Sequence, residues 1–375
     1  MLTFWFDRGV EGFRADAVTV VGKTPGFPDS AIAERGPEIA GLNEHYTYRP
    51  EGHVAWRRWR GLVDRYNATH DRDVFIVAEA YAPRRADLMR QYVNDTEFHQ
   101  SFAFDLLLSP WHAPMLRDAV RFASENLVPF GLSPAWTLNN HDAQRSVTRY
   151  GRRNATDPAS YTGTNLLNSS EPVDIALGTR RAAAALVLML ALPGSSYLYM
   201  GEELGLPEVL DLPDEARQDP IFVQTEGREI GRDGCRVPMP WTADAGSNYG
   251  FSTGWGSGSG SPAAPWLPQP ADWGAYSAAR QAADEDSMLR LYRRAAVVRR
   301  ERVQHASHEL DELFADDPEL VAFERGGVLV VLNTADHDRP LDAAVVDSRS
   351  VVLSSVRGHV DPSVVPANAT IWLAS

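Results

Sequence analysis

The sequence predicts an α/β protein built on a parallel sheet, followed by a small antiparallel β-domain. Three observations carry that prediction. Short apolar runs of β character alternate with long helical patterns as far as about residue 300, as repeated βαβ units require. Those runs are apolar at most positions, as strands buried on both faces are. After residue 303 the pattern changes to alternating or β-branched runs split by Gly326-Gly327 and Asp-rich turns, which reads as hairpins rather than crossovers. At 375 residues the chain exceeds one ordinary domain, so we expect residues 1–303 to form the α/β domain and residues 304–375 the β-domain.

In chain order, the expected parallel strands are Gly12 to Val18, Val74 to Ala80, Ser101 to Leu107, Ala135 to Leu138 and Ser196 to Met200. Between and after them, helical patterns cover His53 to Thr69, Arg84 to Tyr92, Met115 to Glu125, Gly178 to Leu190 and Asp284 to Arg302. The last carries Met288, Leu291, Tyr292 and Ala295 at i, i+3, i+4 and i+7, the stripe of an amphipathic helix. The β-domain strands are expected at Leu320 to Phe323, Val328 to Leu332, Val351 to Leu353 and Thr370 to Leu373. Between Pro207 and Asp284 lies a stretch rich in Gly, Pro, Ser and Trp, including Gly256 to Pro262. Its place between a strand and the next helix favours an elaborated βα loop over a linker.

Composition narrows the function. A net charge of -14 without any Lys/Arg block argues against a nucleic-acid partner, because phosphate binding needs a basic face. Cys235 is the sole cysteine, so no internal disulfide forms, and it reads as a small buried residue. The start, Met1 to Arg8, has no basic opening and no sustained apolar run, unlike a secretory signal. The most apolar segment, Ala182 to Leu192, is too short to span a membrane. A soluble, cytoplasmic protein is expected.

Three motifs then set carboxylates at the ends of apolar strands: Gly12-Phe13-Arg14-Ala15-Asp16-Ala17-Val18, Val77-Ala78-Glu79-Ala80 and Leu138-Asn139-Asn140-His141-Asp142. In a strand Arg14 and Asp16 share a face, and a neighbouring guanidinium keeps a carboxylate ionised, as a nucleophile needs. Glu79, at a shielded strand tip, would have its pKa raised, as a general acid needs. His141 and Asp142 can bond sugar hydroxyls. Each motif alone also fits a bland role: an ion pair, a solvated Glu, a turn favoured by Asn139 and Asn140. No Gly-x-Ser-x-Gly turn supports a Ser-His-Asp hydrolase, and no His or Cys spacing suggests a metal.

Taken together, the motifs resemble the α-amylase superfamily of retaining glycoside hydrolases (glycoside hydrolase family 13), in particular its α-glucosidase and oligo-1,6-glucosidase branch. Gly12 to Val18 is similar to the family's strand-four motif, Val77 to Ala80 to strand five and Leu138 to Asp142 to strand seven. Tyr199-Met200-Gly201-Glu202-Glu203 and Arg236-Val237-Pro238-Met239-Pro240-Trp241 agree as well. The resemblance implies the C-terminal part, about strands 4 to 8, of a (β/α)8 TIM barrel, then a small antiparallel β-domain. It implies that Asp16 is the nucleophile, Glu79 the acid and then the base, and Asp142 the transition-state stabiliser, with Arg14, His141 and Arg236 binding substrate. Asp16 and Glu79 should face each other about 5 to 5.5 Å apart for net retention.

The implied substrate is a small malto- or isomalto-oligosaccharide, with no cofactor and no metal. Ala17, after the nucleophile, resembles members preferring α-1,4 links. Trp255, Trp266 and Trp273 are expected either to stack on sugars or to sit in the core. The family's three earlier strands have no counterpart in this sequence, so the resemblance also implies a truncated catalytic domain with impaired activity and self-association through exposed barrel edges. A catalytically inert remnant or interaction module is the alternative. Trehalose synthesis and transglycosylation use the same three carboxylates.

Overall fold

In the computed structural model, structure is described for residues 1–29, 45–80, 82, 84–160, 171–252, 263–346 and 348–375. Gly256 to Pro262 and Trp255 lie outside the described residues. The chain divides into two compact units, Met1–Asp105 with Phe122–Trp136, and Leu106–Arg121 with Thr137–Ser375.

The first unit is organised on a parallel sheet of four short strands, β1 (Gly12–Ala15), β2 (Phe75–Ala78), β3 (Gln100–Ala103) and β4 (Ala135–Thr137, of which Thr137 falls in the second unit). Their order in space is their order in sequence, as successive crossovers in one direction give. Gly12 pairs with Phe75 and Ala15 with Ala78, Val77 with Gln100, and Phe102 with Ala135. Ile76, Ala78, Ala135 and Trp136 are buried. Helix α1 (Leu2–Phe6) buries Leu2 and Phe6. Helix α2 (Pro50–His70) has a proline in its first turn and ends at Asp71 in the left-handed conformation, a start and a stop that proline and an αL cap favour. It turns Trp56, Val63 and Tyr66 inward, with Trp56 against Phe98 and Tyr66 against Phe6. A shorter helix, α3 (Ala86–Tyr92), follows β2, and α4 (Ala113–Asn126), of which Ala113–Arg121 falls in the second unit, follows β3.

The second unit is centred on helix α6 (Ile175–Ala191), which crosses α5 (Ser146–Gly151). The crossing is set by two glycines: a Cβ on Gly178 would lie 2.0 Å from the Val147 carbonyl and 3.0 Å from the Gly151 Cα. Asp174 caps α6 by accepting from the Leu177 N–H at 2.9 Å. From Ala182 to Ala191 every residue is buried, so the chain's most apolar run is a core helix surrounded by protein. No helix among the described residues is long and apolar enough to cross a membrane.

After α6 come β5 (Ser195–Tyr197), the short helices α7 (Pro220–Gln224) and α8 (Ala278–Ala283), and α9 (Met288–Arg302). Helix α9 is capped by Ser287 and buries Leu291, Tyr292 and Ala295, three of the four positions of the predicted stripe. The C-terminal sheet contains β6 (Asp311–Leu313), β7 (Leu320–Arg325), β8 (Val328–Asn333), β10 (Ser350–Ser354) and β12 (Ala369–Ala374), in the order β10-β12-β8-β7-β6. Two-residue strands β9 (Arg339–Pro340) and β11 (Val364–Val365) pair separately. All these pairings are antiparallel. One face of the sheet carries the cluster of Leu329, Val331, Ile371 and Leu373. From β12, Thr370 donates to the Ala184 carbonyl and the Trp372 indole to that of Val187, at 2.8 and 3.1 Å, so α6 covers the other face.

Candidate active site

The β1–β2 register explains the first cluster. With Ala15 opposite Ala78, the next residues, Asp16 and Glu79, leave the C-terminal ends of adjacent strands side by side. Ladder bonding continues one step, from the Glu79 N–H to the Ala15 carbonyl at 2.9 Å. Then Ala17 turns into the left-handed region, φ 47°, a costly conformation for a residue with a side chain. The turn aims its N–H at Glu79 Oε2, 2.9 Å away. The predicted strand Gly12 to Val18 therefore stops at Ala15, where this turn begins.

Arg14 bridges the two acids, with Nη1 2.8 Å from Asp16 Oδ1 and Nη2 3.0 Å from Glu79 Oε2. As the strand geometry predicts, Arg14 and Asp16 share a side. The Asp16 side chain is 71% exposed and that of Glu79 only 17%. Burial pushes the Glu79 carboxyl above its usual value, and the hydrogen bond with Asp16 and its charge add to that; the Ala17 N–H and Arg14 oppose it. Asp16 and Glu79 thus stand side by side on the one guanidinium of Arg14.

The second cluster surrounds Asp142. His141 Nε2 lies 3.3 Å from Asp142 Oδ2, and Arg236 Nη2 3.3 Å from Oδ1, while Arg236 Nε donates to the His141 carbonyl at 2.9 Å. The three predicted residues of this unit therefore meet. Sequence reasoning missed a fourth, Arg232, whose Nη1 makes the shortest contact with Asp142 Oδ1, 2.7 Å. Arg232 is itself held by Asp219, through Nε at 2.6 Å, Nη2 at 3.1 Å and its backbone N–H at 2.8 Å. Asp219 is fully buried; burial pushes its carboxyl up, but the bonds from Arg232 and the Ile221 N–H outweigh this and bring it down to about 2. Nothing local marks this pair, 13 residues apart in sequence. In sequence, only the nearness of Arg232 to Arg236 hints at it.

Asn139 has a larger part than the turn expected of it. It is buried, donates to Glu202 Oε2 at 2.8 Å and accepts from the Ser146 N–H at 2.6 Å. Asn140 does act as a turn residue, accepting from the Asp142 N–H at 2.9 Å. Cys235 is fully buried and its thiol pushed up by burial. Trp273 belongs to the core with Leu204, Val237 and Leu267, so it is not a stacking platform; Trp266 is exposed. Among the described residues no group of three His, Cys, Asp or Glu could hold a metal ion.

A partly buried Glu with its carboxyl pushed up by burial, beside an exposed Asp on the same guanidinium, is a pairing of the kind glycoside hydrolases use. Comparison with known proteins sharpens that class. The family model described as the alpha amylase catalytic domain matches residues 1–307, and the chain belongs to that family. A protein of Rhizobium meliloti (strain 1021) named "Probable alpha-glucosidase" is 29% identical over 82% of this chain and 51% of its own length. The oligo-1,6-glucosidase of Parageobacillus thermoglucosidasius is 24% identical over 87% of this chain and 56% of its own length. The chain thus spans about half the length of the curated relatives it matches. Among solved structures, the alpha-glucosyl transfer enzyme XgtA is similar at a TM-score of 0.74 and 27% identity, over 99% of this chain and 65% of that one.

Proposed function

We propose that the chain carries the machinery of a retaining glycosidase acting on α-linked glucosides, with Asp16 as nucleophile and Glu79 as acid and base. The observation that carries this reading is the unequal pair itself: an exposed Asp16 and a partly buried Glu79, its carboxyl pushed up by burial, on one arginine. In the first step the Glu79 proton passes to the glycosidic oxygen as Asp16 attacks the anomeric carbon. The C–O bond to the leaving sugar breaks and a β-glycosyl ester forms. In the second step ionised Glu79 takes a proton from water, whose oxygen displaces Asp16 and restores the α-anomer. Asp142, His141 and Arg236 are assigned to the hydroxyls and the developing positive charge of the reacting sugar.

Further parts of the proposal follow from family membership. Strands β1 to β5 would correspond to strands four to eight of a (β/α)8 barrel, with residues 1–303 the catalytic part and 304–375 the β-domain. A second reading, transfer of glucosyl to another sugar instead of water, is favoured by the similarity to an alpha-glucosyl transfer enzyme and uses the same ester. The test is product analysis by NMR after incubation of the chain with p-nitrophenyl α-glucoside, whose leaving group is not a sugar. Initial release of α-glucose supports the retaining hydrolase and larger oligosaccharides support transfer, whereas initial β-glucose would sink the nucleophile assignment.

A further inference from the structure

The segment between Asn139 and Ser146, which carries His141 and Asp142, is held at both ends by the turn that follows β5. At its start, Asn139 donates through Nδ2 to Glu202 Oε2 at 2.8 Å. At its end, Arg145 Nη1 donates to the Met200 carbonyl at 2.7 Å, and Nη2 to the Cys235 carbonyl at 2.8 Å. Glu202 is buried and accepts two more bonds, from the Tyr199 N–H at 3.1 Å and from the Tyr292 hydroxyl of α9 at 3.0 Å. All three partners are donors, so the carboxyl is an acceptor at each contact.

This arrangement selects one orientation of the Asn139 amide. Its Oδ1 must accept from the Ser146 N–H at 2.6 Å, and its Nδ2 must face an acceptor. Glu202 is that acceptor. An amide turned over would set Nδ2 against the Ser146 N–H and Oδ1 against a carboxylate oxygen, two repulsive contacts in a buried place.

We propose that Glu202 is a positioning residue for Asp142 and His141, acting through Asn139, whose amide it orients and thereby fixes the start of their segment. The role in turnover rests on the hydrolase reading above; the structural link does not.

The link is tested in the full chain by amide hydrogen exchange, with Glu202→Ala, Glu202→Gln and Asn139→Ser compared with wild type, and amides of β8 as the reference for global stability. Glu202→Ala is expected to speed exchange at Asp142 and Ser146 at least tenfold relative to β8. Glu202→Gln is expected to restore protection, because its amide oxygen can receive Asn139 and Tyr199 while its N–H donates to the Tyr292 oxygen. If Glu202→Ala does not fold, Asn139→Ser cuts the same link from the other side and leaves Tyr199 and Tyr292 on Glu202. The same selective loss is expected there. Unchanged protection of Asp142 and Ser146 in the folded variants, or loosening shared equally by β8, would overturn the proposal. With p-nitrophenyl α-glucoside, Glu202→Ala should lower kcat more than tenfold with KM within twofold, and Glu202→Gln should recover most of it. Absence of turnover in wild type would count against the hydrolase reading alone, since the exchange result stands without it.

Discussion

Replacing Asp219 by Asn tests whether the buried aspartate is what holds Arg232 on Asp142. The Asp219 carboxylate is fully buried and receives Arg232 Nε at 2.6 Å, Nη2 at 3.1 Å, the Arg232 N–H at 2.8 Å and the Ile221 N–H at 3.0 Å. Its pKa falls from 3.8 to about 2. That difference corresponds to about 2 kcal/mol, at about 1.4 kcal/mol per pH unit. A depressed acid stabilises the fold above its unfolded pKa, and that stability is lost as pH falls through the folded value near 2. Asn keeps one acceptor but puts an amide N–H against Arg232 donors, so a loss of about 2 to 4 kcal/mol is expected at pH 7. Urea unfolding followed by tryptophan fluorescence measures it. The gap between wild type and variant should shrink to about half or less by pH 2. A gap under about 0.5 kcal/mol at pH 7, or one that does not change with pH, would refute the reasoning.

Three further changes have definite expected outcomes. Arg14→Gln removes a charge that lowers the Glu79 pKa, so the alkaline limb of kcat/KM should move to higher pH while the rate falls about 10²-fold; a limb displaced downward contradicts the assignment of Glu79 as the acid. Gly178→Ala places a Cβ 2.0 Å from the Val147 carbonyl, and overpacking of about 1 to 3 kcal/mol should exceed the gain in helix propensity of about 1 kcal/mol, lowering the calorimetric Tm; an unchanged or raised Tm counts against so close a crossing. Burial pushes Glu202 up to about 7 from 4.5, so it favours the fold at low pH and that stability is lost as pH rises from 4.5 to 7, at most by about 3 kcal/mol. Glu208, buried and also pushed up to about 7, adds the same trend. Stability measured from pH 4.5 to 7.5 should therefore fall less steeply in Glu202→Gln than in wild type, and equal slopes would contradict the raised value.

Much of the framework was legible because local pattern and tertiary role agree. The five apolar runs became β1 to β5, and the four β-branched runs became β7, β8, β10 and β12. The Ala-rich run became α6, buried as its lack of a polar face implies. Strands β6, β9 and β11 were not legible, since two or three residues hold no periodicity. Arg14 and Asp16 could be anticipated on one face from strand alternation, whereas Glu79 joins them through the β1–β2 register, which the fold supplies. Arg232 on Asp142 could not, because partners 90 residues apart are joined by the course of a loop rather than by any spacing. Glu202 lies in the motif Tyr199 to Glu203, yet its role depends on Asn139 and Tyr292, which only the fold brings to it.

The most direct measurement is hydrolysis of p-nitrophenyl α-glucoside by the purified chain, with Asp16→Ala and Glu79→Gln as controls. Turnover in wild type, abolished by Asp16→Ala and strongly reduced by Glu79→Gln, is the expected result. Turnover that survives Asp16→Ala, or none from a folded wild-type chain, would contradict the assignment of a working retaining pair to these two carboxylates.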